Sequence, residues 1–176
     1  MKDEQLRRLA AAGLVIGALL GMAGSFAPSA AVRGLAWGAD GVALVVSSAL
    51  LGLYYLRRGD VYLAAGFLVF LAGETLILSG SAMDLAVSAP TFAAGSALWS
   101  AALLLVSAGP VMPRLIRITG AIAAIVFAVT AARIFGGGAL TPLSQPLPFF
   151  AYPFLAITLF GWAWAHTRST PQPGDR

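Results

Sequence analysis

The chain contains no cysteine, one histidine and, at Lys2, a single lysine in 176 residues. Each scarcity removes a class of chemistry. Without cysteine there is no disulfide, no thiolate nucleophile and no Cys-ligated metal or iron–sulfur centre. The lone histidine, His166, cannot supply bis-histidine haem ligation or a zinc site. It closes the last apolar run beside Arg168 and is expected at the membrane interface. A lysine confined to position 2 excludes a retinal Schiff base inside a helical core. There is no Gly-x-Ser-x-Gly elbow and no phosphate loop, so neither serine chemistry nor ATP hydrolysis is encoded. No cofactor motif or catalytic signature occurs, and an enzyme is the least favoured reading.

Charge is scarce too. Charged residues make up 10% of the chain, against about 25% in an ordinary soluble domain. Hydrophobic residues make up 59%, more apolar surface than a soluble domain of this size can hide from water. The net charge of +4 is not a nucleic-acid footprint, because the basic residues flank apolar runs and form no patch.

Six runs fill the chain: Leu9–Phe26, Leu35–Leu56, Val61–Leu78, Phe92–Ala108, Leu115–Phe135 and Phe149–Ala165. A membrane helix needs about 20 apolar residues, with ~17–25 usable. Helices are expected because every backbone amide in lipid must be bonded within its own segment. The fold class is therefore an all-α integral membrane protein, a six-transmembrane-helix bundle over residues 1–166. Residues 167–176 are polar, contain proline and glycine, and are expected to be a disordered cytoplasmic tail. Leu9–Phe26 has the basic flank of a signal peptide, but Pro28 directly after Ser25-Phe26-Ala27 disfavours cleavage, so a retained first span is expected.

Orientation follows from lysine and arginine. With six spans, Lys2, Arg7, Arg8, Arg57, Arg58, Arg114, Arg117, Arg168 and Arg176 fall on one side, and Arg33 and Arg133 toward the other. Both termini are expected in the cytoplasm. Tyr54, Tyr55, Trp162 and Trp164 are expected as anchors on that side, with Phe149, Phe150 and Tyr152 opposite. Compact loops, abundant alanine and arginine in place of lysine match the texture of a bacterial inner-membrane protein.

Between lipid-embedded helices, association relies on close backbone contact. The first run carries Gly13, Gly17 and Gly21, a glycine-zipper spacing, and the third carries Gly66, Gly73 and Gly80 in one heptad register. Two readings stand: packing within the bundle, or a docking face for a second protomer or partner membrane subunit. Pro28, Ala31 and Trp37 recur as Pro90, Ala93 and Trp99, then as Pro153, Ala156 and Trp162. This spacing suggests three parallel hairpin repeats, as in some transporters, with chance in an alanine-rich chain as the alternative. The repeat places the start of the second helix near Ser29 as N-cap.

Ionisable residues inside a membrane are functional candidates, since each costs about 2.5 kcal/mol or more near the centre. Counting ~1.5 Å per residue from the cytoplasmic side, Glu74 lies ~20 Å up, Asp40 ~24 Å and Arg133 ~26 Å. Three helices thus bring charge to similar levels, and Arg133 is expected to pair with one or both acids. The cluster is either a structural ion-pair network or a polar pocket binding a proton or a small cationic solute. Ser47, Ser48, Ser96, Ser100 and Ser107 are expected to bond carbonyls of their own preceding turns. The functional expectation is small-solute or proton-linked transport or binding at Glu74, Asp40 and Arg133. The alternative is a non-catalytic accessory or assembly subunit of a larger membrane complex.

Overall fold

The computed structural model describes residues 3–80, 84–140 and 147–168. Lys2 and residues 169–176, which hold most of the tail, lie outside them. The described chain is six helices, α1 Asp3–Ser25, α2 Ala30–Arg57, α3 Val61–Gly80, α4 Leu85–Ala108, α5 Arg114–Phe135 and α6 Leu147–Thr167, without strands. Five of them, α1 to α5, are long and apolar enough to cross a membrane. Over its described residues α6 is not among them.

Local chemistry sets the helix starts. Ser29 caps α2, its hydroxyl accepting from Val32 N at 3.3 Å. Asp60 Oδ1 accepts from Leu63 N at 3.2 Å and Asp84 Oδ1 from Ala86 N at 2.9 Å, serving α3 and α4 in the same way. Before α3 the chain reverses through Gly59, whose φ of 75° is the left-handed region that glycine enters without strain. At the end of α4, Arg117 donates to the carbonyls of Ser107 (2.8 Å) and Ala108 (3.2 Å), which have no partner within the helix. Pro153 lies inside α6, as a start at Leu147 requires.

Each helix packs on its sequence neighbours, and α6 returns to α1, closing a ring. Neighbours run antiparallel. Gly13 meets Ser47 while Gly24 meets Trp37, and Gly66 meets Val106 while Gly80 meets Ser88 and Thr91. Beside that closure, Arg7 Nη1 donates to the Arg168 carbonyl at 3.0 Å. The ring gathers Arg7, Arg8, Arg57, Arg58, Arg114, Arg117 and Arg168 at one end, with Arg33 and Arg133 toward the other. At the basic end, Arg57 pairs with Asp3 at 3.9 Å, and Arg7 and Arg58 both lie over the Tyr54 ring.

Aromatic rings fill the ring's centre. Tyr55 stacks on Phe67 at 5.6 Å, and Phe67 meets Trp162 edge-on at 5.1 Å. Phe70 joins Trp162 to Trp99, Trp99 meets Phe127 at 5.1 Å, and Phe127 reaches Tyr152 at 6.0 Å. The outside is also apolar: Leu9, Ile16, Leu19, Val42, Val46 and Ile125 are exposed along the helix flanks. A ring apolar on both faces is compatible with a multi-pass protein in contact with lipid.

The expected interface belt is corrected in part. Tyr54, Tyr55 and Trp162 are buried in the core, whereas Trp164 and Phe150 are exposed. A tyrosine at a helix end turns inward when a buried acceptor is there for its hydroxyl to donate to, and Tyr55 has one in His166.

Candidate functional site

Glycines of α1 make room for Asp40. A β-carbon built at Gly17 would stand 3.1 Å from Asp40 Oδ1, and one at Gly21 would stand 2.9 Å from Oδ2. The carboxyl of α2 therefore rests on the bare backbone of α1. On α3, Gly66, Gly73 and Gly80 all turn to α4. Gly73 meets the Gly95 carbonyl and Trp99, so Trp99 is held beside the next residue, Glu74. Both glycine stripes are taken up by helix contacts inside this chain.

Glu74 is 1% exposed. It lies within electrostatic reach of Asp40, and Tyr152 lies within reach of both acids. Asp40 Oδ1 and Glu74 Oε2 are buried without a hydrogen-bond partner among the described residues. Trp99 Nε1 faces Glu74 without closing a bond of good geometry. Beside Asp40 is a cavity of about 20 Å³, walled by Gly17, Ala18, Gly21 and Met22 of α1, Leu44 of α2, Trp99 of α4, and Tyr152, Leu155, Ala156 and Leu159 of α6. That is room for about one water molecule.

The expected arginine is not in this cluster. Arg133 is exposed in the last turn of α5, and the ion pairs found among the described residues are Arg8–Glu4 and Arg57–Asp3. The end of a helix favours a cation, because its terminal carbonyls carry partial negative charge. Depth along a span also says nothing about which way a side chain points. Asp40 and Glu74 are thus brought together and Arg133 is left outside.

Of the serines, Ser47 bonds the Ala43 carbonyl at 2.7 Å, as expected. The hydroxyls of Ser48, Ser96 and Ser107 are buried without a hydrogen-bond partner among the described residues, against expectation. Two polar arrangements were not read from the sequence. Thr158 donates to Thr119 at 3.0 Å, linking α6 to α5. His166, 3% exposed, joins Tyr55 and the Trp162 carbonyl, so its expected interface position is corrected. A carbonyl only accepts, so Nδ1, at 2.6 Å from it, carries the proton. In the neutral ring Nε2 then accepts from the Tyr55 hydroxyl at 2.8 Å.

Trp99 and Tyr152 also joined the site unforeseen. The Pro-Ala-Trp recurrence singles out Trp99, but nothing in the linear pattern puts Tyr152 opposite Asp40. No group of three or more metal-ligand side chains exists among the described residues. No protein-family model, no curated protein and no solved structure matches this chain.

Proposed function

We propose that this chain is a six-span inner-membrane protein that binds a small positively charged species between Asp40 and Glu74, in the service of small-solute or proton-linked transport. One observation carries the reading. Glu74 is wholly enclosed, lies within electrostatic reach of a second acid, and has no arginine or lysine paired with it among the described residues. An uncompensated negative charge on Glu74 at so enclosed a position is costly, the more so beside the half-buried Asp40, and a bound positive species relieves it. The accessory-subunit reading has less to rest on, because both glycine stripes are occupied within the bundle.

Melting the purified protein across a pH series and with Na⁺, K⁺ and small organic ammonium ions tests the reading. A species that binds only the folded state raises the melting temperature with its concentration. We expect at least one to do so in wild type and none in the double variant Asp40→Asn/Glu74→Gln. Identical responses in both proteins would remove the site.

In this reading α6 is the sixth span, its aromatic residues set among the other helices. The hairpins α1–α2, α3–α4 and α5–α6 are the three repeats. The basic end faces the cytoplasm with both termini. The absence of native cysteine makes orientation easy to check. Leu140→Cys, beyond α5, should react with an impermeant maleimide in intact spheroplasts. Reaction only after permeabilisation would invert the topology.

A further inference from the structure

We propose that the occupant of the Asp40–Glu74 site is a proton, held with one water molecule in the cavity beside Asp40, and that metal and organic cations are excluded. This rests on the reading above and names its ligand. Size gives the first argument. A cavity of about 20 Å³ takes one water, and no organic ammonium ion fits wholly inside it.

The donor set gives the second. Calcium takes six to eight oxygen ligands, and magnesium requires a near-octahedral shell. Among the side chains walling the cavity, only Asp40 and Tyr152 carry oxygen. Trp99 offers an N–H, which repels a cation. The α1 wall is glycine, alanine and methionine, and the rest is leucine and alanine. A metal would exchange its hydration shell for far too few ligands.

A proton needs one lone pair, and two are waiting. Asp40 Oδ1 and Glu74 Oε2 are both buried and unpartnered. Once protonated, either carboxyl becomes a donor toward the other acid or toward the water. The remaining oxygen of Glu74 can then accept from Trp99 Nε1. One proton therefore removes one charge and opens three polar atoms to mutual bonding. Glu74 from α3 and Tyr152 from α6 are the titratable groups facing Asp40. The nearby side of α1 presents Gly17 and Gly21, α4 presents Trp99 and α5 presents Phe127.

Infrared spectroscopy of the protein in lipid reads this directly. We expect a carboxylic-acid C=O band that is lost in Glu74→Gln or Asp40→Asn, weakens as pH rises, and is unmoved by Na⁺, K⁺ or Ca²⁺ at fixed pH. Should those variants fail to fold, Gly21→Ala presses on Asp40 without removing an acid, and should shift the band. Its downshift in D₂O identifies the band in wild type. If a metal salt abolishes the band at fixed pH, the proton assignment falls while the site survives. If wild type shows no acid band at any pH and its melting is indifferent to pH and cations, both fall.

Discussion

Adding a single methyl group at Gly73 is expected to destabilise the protein by about 2 kcal/mol, a heavy loss for so small a change. Here α3 and α4 cross with their backbones almost touching. A β-carbon at Gly73 would lie 2.9 Å from the Gly95 carbonyl, and one at Gly95 would lie 2.8 Å from the Gly73 carbonyl. The obstacle at each position is main chain, which cannot swing aside as a side-chain tip can. Leu98 Cβ and Trp99 Cδ1, both at 3.0 Å from the added carbon, close the remaining directions. The helices must separate, and the close backbone contact that joins them is lost. Gly38 is the control. Nothing lies within 4 Å of a β-carbon there, so Gly38→Ala should gain about 0.5–1 kcal/mol from helix propensity alone. Parallel melts of the two variants decide the matter. Equal shifts would mean that the crossing is looser than described.

Trp162→Ala is expected to cost about 3–5 kcal/mol, the largest effect of any truncation in the centre of the ring. Trp162 is 1% exposed and contacts Phe67 at 5.1 Å and Phe70 at 5.8 Å. Those rings belong to α3, so removing the indole undoes contact across the bundle between helices that are not ring neighbours. The loss is one of packing, since a void leaves its lining atoms without partners whatever the surrounding solvent. Trp164 is two residues away and 48% exposed, with Arg168 at 3.5 Å over its ring. Truncating it should cost no more than that cation–π contact, about 0.5–1 kcal/mol. Chemical denaturation of the two variants separates them. Similar losses would argue against the inward placement of Trp162.

The helices were legible because hydropathy and capping are properties of the chain in order. Ser29 announces α2 nearly two turns before the apolar run begins at Leu35. Facing is a different matter. In α3 and α4 apolar residues occupy every side, so no stripe marks the interior, and the ring order is needed to learn that Tyr55 and Trp162 look inward. Glu74 was legible because a lone acid in such a helix has nowhere else to go. Arg133 misled because it shares a depth with the acids but not a direction, and it sits where a helix end welcomes a cation. Tyr152 was invisible as a site residue, since α6 meets α2 only across the centre of the closed ring.

That closure also sets a timetable. Ribosomes deliver α1 first and α6 last. Asp40 and Glu74 emerge early, yet Tyr152, Leu155, Ala156 and Leu159, which wall the pocket on one side, arrive at the end. Throughout biogenesis the nascent chain carries a pair of half-sheltered acids and an α1 covered on one flank only. The final helix closes the ring, so a chain stalled before Leu147 leaves α1 and α5 without the neighbour they share.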